Sequence, residues 1–159
     1  MKQNLNIEDT FIPAYQLAQF RELVSDLFQC CQERTQYQSE KFELPDAEIR
    51  CLLLFGGERY LTAKGIAYRL NVVKSRVTKI VDGLVHKDLV QRVRDPEDSR
   101  ITLISLTHDG QEKMKSIRKF IDSVHVETLR QMTTDQRKTV LPSLDLLRSS
   151  MKAVKEMMV

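Results

Sequence analysis

Residues 74–79 read Lys-Ser-Arg-Val-Thr-Lys, and two arginines, Arg94 and Arg100, bracket a short charged loop twenty residues later. Ammonium, guanidinium and hydroxyl groups at this density do one kind of chemistry well. They donate hydrogen bonds to anionic or electron-rich oxygen and nitrogen acceptors, such as guanine O6 and N7 or phosphate oxygens. At 100° per residue, Val77, Ile80, Val81 and Leu84 cluster on one side of a helix beginning near Lys74. Ser75, Thr78, Lys79, Asp82 and His86 fall on the other, with Lys74 and Arg76 on the flanks of the first turn. The candidate contact set is Thr62, Lys74, Ser75, Arg76, Thr78 and Lys79, joined by Arg94, Asp98 and Arg100 from the loop. A solvated helix face carries the same residue types, so the elements around this group decide its meaning.

Those elements have a specific order. Thr62 is a good N-cap for a helix running to Leu70. A second helix follows the Asn71-Val72 junction and runs from about Lys74 to His86. Leu89–Arg94 and Ile101–Leu106 are rich in β-branched and apolar residues, as strands are. Between them Asp95-Pro96 fits the first two positions of a type I turn. Helix, turn, helix and hairpin outline a winged helix-turn-helix, a unit that places one helix in the DNA major groove. Arg94 and Arg100 would then meet backbone or a narrow minor groove, where negative potential is enhanced. Asp95, Glu97 and Asp98 oppose that role unless they are otherwise engaged, and a bidentate Asp98–Arg100 pair is one way to engage them.

The remaining sequence is helical. Leu17, Phe20, Val24, Leu27, Phe28 and Cys31 mark one face of a helix from about Ala14 to Arg34, and 32–42 is its tail or a loop. Pro45 opens another helix, with Asp46 and Glu48 in the first turn, a stripe of Ile49, Leu52 and Leu53, and Gly56-Gly57 as its stop. A short strand is expected over 59–61. Thr107 caps a long helix along Met114, Ile117, Ile121 and Val124. Thr133 and Gln136 form a capping-box pattern for a last helix, with Leu141, Leu144, Leu147, Met151, Val154 and Met158 along its face. Pro142 predicts a kink there or a restart of the helix. The fold class is therefore mainly α with a small β-hairpin wing: a winged helix-turn-helix over 45–107, flanked by helices over 12–44 and 108–159. Those flanking helices carry more apolar stripe than the small winged unit covers, which points to each other and to a second copy of the chain.

Composition narrows the function classes. The 159 residues suit a single domain with its own core. Residues 1–60 hold 6 Lys/Arg and 10 Asp/Glu, net −4, whereas 61–100 hold 9 and 5, net +4. Positive charge therefore concentrates where the contact set lies. Three cysteines, Cys30, Cys31 and Cys51, are an odd number without Cys-x-x-Cys spacing, against a disulfide framework or structural zinc. His108 and Glu112 have i, i+4 spacing, but His86 and His125 lie far off, and no metal is expected. No apolar run approaches the ~18 residues of a membrane span, and the polar start lacks a signal-peptide core, so a cytoplasmic protein without a membrane partner is expected. No catalytic signature or cofactor motif is present.

The run LTAKGIAYRLNVVKSRVTKIVDGLVHKDLV followed by RDPEDSRITLISLTHDG resembles the MarR family of bacterial transcription regulators. The resemblance covers about fifty residues closely and the rest loosely. It implies a homodimer with interlocking first and last helices, each protomer carrying a winged unit for half of a palindromic operator. The recognition helix would be about 73–84 and the wing 90–106. The family's Asp-x-Arg and Leu-Thr-x-x-Gly wing motif maps onto Asp98, Arg100, Leu106, Thr107 and Gly110. Two departures stand out: Ser99 where relatives often have a second arginine, and Val73 where a Ser or Thr cap is usual, so that Ser75 or a water would have to substitute. The resemblance also implies a repressor released by a small organic effector, aromatic or phenolic, although an activator could use the same contacts. A redox-sensing repressor using a cysteine and a winged-helix protein-interaction module are the alternatives. Peroxide-sensing relatives keep their reactive cysteine near the chain start, where this sequence has none.

Overall fold

The computed structural model describes residues 11–158, which form two compact units, one ending at Thr107 and the other beginning at His108. In the first unit, α1 spans Ala14–Phe42, so residues 32–42 continue the helix. Side-chain bonds one turn apart, Gln29 to Glu33 at 2.8 Å and Gln36 to Glu40 at 3.0 Å, support this polar stretch. Helix α2 spans Asp46–Leu53 and packs on α1. Pro45, read from the sequence as the first helical residue, is instead its N-cap, and its carbonyl accepts from Glu48 and Ile49.

The stop of α2 also differs from expectation. The helix ends at Leu53, before Gly56-Gly57, and no glycine takes a positive φ among the described residues. Tight bonds from Leu54 N–H to Cys51 and from Phe55 N–H to Leu52 satisfy the last carbonyls instead. Three other helix ends do use the left-handed conformation, on residues that are not glycine: Glu43, Asn71 and Asp88, with φ of 53°, 55° and 56°. Each makes the paired bonds of a Schellman motif. Leu44, Val72 and Leu89 follow as the apolar residue that commonly accompanies it.

Strand β1 is Leu61–Thr62, later than the 59–61 segment anticipated. Pairing sets its position, because Leu61 lies opposite Ile104 and Thr62 opposite Leu103. Helix α3 spans Ala63–Leu70 and α4 spans Lys74–His86. Strands β2, Val90–Arg94, and β3, Thr102–Leu106, pair antiparallel from Val90↔Leu106 to Arg94↔Thr102. The sheet order is β1-β3-β2. The core is assembled from α2, α3, α4 and the sheet: Ile49, Leu52, Ile66, Val77, Val81, Leu84 and Val90 are almost fully buried.

In the second unit, α5 spans His108–Arg130 and α6 spans Thr134–Met157. The capping box is present: Thr133 Oγ1 accepts from Gln136 N–H at 3.2 Å, and Gln136 Oε1 accepts from Thr133 N–H at 2.8 Å. Helix α6 runs through Pro142 without restarting, which corrects one of the two outcomes expected there. None of its described residues is buried.

Candidate nucleic-acid interface

The interface begins with the two faces of α4. Val77, Ile80, Val81 and Leu84 are buried against the winged unit, whereas Lys74, Ser75, Arg76, Thr78 and Lys79 are exposed. The same 3.6-residue period that builds the core thus places every candidate of the first two turns on the open side. Thr78 Oγ1 donates to the Lys74 carbonyl at 3.3 Å, and its oxygen remains able to accept. The N-cap, Val73, is in extended backbone and contributes no side-chain bond. Its carbonyl accepts from Arg76 and Val77. Ser75 does not substitute for the missing cap, because no side chain caps α4. A Ser or Thr there would ordinarily add about 1 kcal/mol.

Thr62 does cap α3, accepting from Gly65 N–H at 3.1 Å. Its hydroxyl proton is left for another acceptor. Arg94 ends β2, exposed and opposite Thr102. The loop between β2 and β3 is closed largely by its own carboxylates. Asp95 Oδ1 accepts from Glu97 N–H at 2.8 Å and Asp98 N–H at 3.4 Å, and Asp95 N–H donates to the Ile101 carbonyl at 3.0 Å. Asp98 Oδ1 accepts both Arg100 N–H at 3.0 Å and Arg100 Nε–H at 3.1 Å. This is one oxygen holding a backbone and a side-chain donor, not the two-oxygen fork anticipated. Arg100's guanidinium ends the loop almost fully in solvent, 91% exposed. Two of the three acidic residues that would repel phosphate are therefore engaged in shaping the tip.

Arg92 belongs to this arrangement and was not among the sequence candidates. Its Nη2 lies 2.5 Å from Asp82 Oδ1 on α4. The available signal was period-two alternation, since Arg92 and Arg94 share one face of β2. Beneath the interface, Glu48 is buried beside Gly83, with Lys87 Nζ 2.9 Å from one carboxylate oxygen and donating to the other at 3.1 Å. Burial and the neighbouring Glu48 carboxylate push the Cys51 thiol up to about 12, which removes the thiolate that a redox sensor needs at neutral pH. Cys30 and Cys31 are exposed on α1. His108 and Glu112 gather no third ligand among the described residues. Glu112 instead accepts from Lys115 at 2.8 Å, which with that ammonium's charge holds its carboxyl below the usual value.

A family model described as the MarR family matches residues 42–101, the segment holding α2 to α4 and the wing loop. The chain is 26% identical over 140 residues to an uncharacterised HTH-type transcriptional regulator, YdgJ of Bacillus subtilis, covering 88% of this chain and 79% of that one. The crystal structure of Bacillus subtilis YusO superposes with a TM-score of 0.72 at 25% identity, over 87% of this chain and 99% of the other. The chain is thus similar to the MarR family across its helix-turn-helix and wing loop. Its architecture is the winged helix-turn-helix fold of these proteins, and MarR-family regulators are not enzymes. The HTH-type transcriptional repressor MdtR of Bacillus subtilis is 31% identical over 91 residues, 57% of this chain and 59% of that protein. Proteins of the MarR family typically bind DNA as dimers. Among the described residues no helix is long and apolar enough to cross a membrane.

Proposed function

We propose that this chain is a MarR-family regulator, a homodimeric repressor that holds a palindromic operator and releases it when a small organic effector binds. The observation that carries the DNA reading is the division of α4, apolar side in the core and Lys74, Ser75, Arg76, Thr78 and Lys79 in solvent. In this reading α4 enters the major groove with Arg76 and Lys79 on base edges or phosphate, and Lys74, Ser75 and Thr78 beside them. Thr62, at the start of α3, donates to backbone phosphate. Arg94 and Arg100 follow the minor groove, with Asp98 orienting Arg100.

Dimerisation is assigned to the helices over 12–44 and 108–159. Leu17, Phe20, Leu27 and Phe28 on α1 and Leu141, Leu144, Met151 and Val154 on α6 are about half or more exposed in the single chain. Large apolar faces of this kind mark association surfaces. A two-fold dimer would set two recognition helices about 34 Å apart, one turn of duplex. The repressor sense is supported by likeness to MdtR. An aromatic or phenolic effector must bind the DNA-holding and released states unequally to act.

The test is selection of duplexes from a random pool by the full-length protein at low salt, followed by footprinting and a mobility-shift screen of aromatic acids and phenols. The expected result is a two-fold symmetric footprint released by at least one such compound. Failure to retain any duplex would overturn the DNA reading and leave a winged-helix protein-interaction module. A footprint insensitive to every compound would overturn only the effector.

A further inference from the structure

Val73 stands where α4 begins, and it is 70% exposed. Tyr68, on the last turn of α3, is 87% exposed. Together with Lys64, Ala67, Asn71 and Val72 they line a shallow groove of about 520 Å³ at the turn between α3 and α4. Its composition is unusual for a phosphate-facing surface. Ala67, Val72 and Val73 give it apolar lining, Lys64 adds a cation from α3, and the exposed Lys74 and Arg76 follow Val73 in the first turn of α4. Val73 also leaves α4 without the side-chain cap that a hydroxyl would supply. An apolar, β-branched side chain held in solvent at that point stabilises neither the core nor the helix end. Its value lies in what it meets.

We infer that Val73 is a specificity-determining residue that reads the C5-methyl group of a thymine in the major groove. This rests on the proposed docking of α4. Double-stranded DNA is the occupant fitted by the surrounding positive charge, and thymine methyl is the one apolar group that base edges present in the major groove. Lys74, next to Val73, and Arg76, three residues after Val73, hold the backbone or neighbouring bases and bring the methyl against the isopropyl group. Tyr68 also lines the groove. Burial of one methyl corresponds to about fourfold in affinity per half-site, and about fifteenfold for a symmetric pair.

The experiment replaces each thymine of a duplex selected by the full-length protein with deoxyuridine, which pairs identically and lacks only the methyl. The expected result is one position per half-site at which the replacement weakens wild-type binding about fourfold. Val73→Ser should bind thymine and deoxyuridine duplexes equally at that position. It should also unfold at a higher temperature, because serine caps α4. Val73→Ala should lose the discrimination without the added stability. Absence of any methyl-sensitive position, or sensitivity that persists in both variants, overturns the inference while leaving the docking of α4 intact. Failure of the wild type to select any duplex overturns both.

Discussion

Arg92 and Asp82 form an ion pair, 2.5 Å between Nη2 and Oδ1, that ties the first strand of the wing to the open face of α4. Both side chains remain substantially exposed, so the pair contributes at most about 1 kcal/mol to stability. It ties β2 to α4, elements that also pack on each other, so its expected effect is on how the wing stands beside the helix. Asp82→Ala should leave the urea midpoint nearly unchanged, raise affinity for random DNA by removing a carboxylate, and reduce the preference for the selected duplex. Competition between selected and random duplexes measures that ratio. An unchanged ratio would mean that the wing is positioned without this pair.

Arg76→Ala and Lys79→Ala should weaken binding to the selected duplex by about 1–3 kcal/mol for a lost base contact, less for a phosphate contact, with the sedimentation behaviour of the free protein unchanged. Arg100→Ala should weaken binding across all sequences and lower the slope of log affinity against log salt by about 1. Wild-type-like binding by both α4 variants would place the reading face elsewhere on the chain.

At Gly83 an added Cβ would lie 2.2 Å from the Glu48 Oε1 atom. Glu48 is buried and held by Lys87, so it gives way only by disturbing a carboxylate that burial makes costly to misplace. Alanine gains about 1 kcal/mol over glycine in a helix, whereas overpacking costs roughly 1–3 kcal/mol. Gly83→Ala is therefore expected to destabilise by about 1 kcal/mol in the wild type and to stabilise by a similar amount in a Glu48→Ala background. Denaturation of the four proteins in this cycle checks the change of sign.

Cys51 gives a pH dependence of known direction. Its thiol rises from an ordinary 9.0 to about 12 on folding, first through burial and then through Glu48. The folded state binds the proton more tightly, so its contribution is complete below pH 9.0 and is lost as pH climbs toward 12. Stability should fall by about 1.4 kcal/mol per unit across that window, beyond the losses from other groups. Cys51→Ala should show a shallower alkaline decline. At neutral pH a thiol reagent should leave Cys51 unmodified until the protein unfolds, and labelling of Cys51 in the folded protein would contradict its burial.

The helix-turn-helix was legible because its signals are local. Period 3.6 in Val77, Ile80, Val81 and Leu84, the Thr62 cap, and β-branched residues on either side of Asp95-Pro96 all lie within a few residues of one another. What escaped depends on distant partners. Glu48 read as a dipole partner in a first turn, yet it is buried against a lysine thirty-nine residues later. The Arg92–Asp82 pair joins strand to helix, and neither residue announces the other. β1 is placed by pairing with β3, more than forty residues away in sequence, rather than by its own composition. The stop of α2 differs because Gly56-Gly57 reads as a glycine stop, whereas the helix ends earlier, at Leu53. The sequence signal that survived was a polar residue followed by an apolar one, as in Glu43-Leu44, Asn71-Val72 and Asp88-Leu89.

Those three left-handed corners bear on how the protein can change over generations. A side chain at positive φ costs about 1–2 kcal/mol that glycine avoids, and less for Asn or Asp, whose short side chains suit the conformation. Glu43→Gly should accordingly raise the unfolding midpoint most, and Asn71→Gly least; calorimetry ranks them directly. All three positions sit at helix ends; Asn71 lines the groove beside Val73, whereas Glu43 and Asp88 are not among the side chains lining it. The fold therefore has latent robustness. A substitution on the exposed face of α4 that weakens the domain can be offset at Glu43 or Asp88, which lie outside that face, so the face is free to drift while the scaffold stays folded.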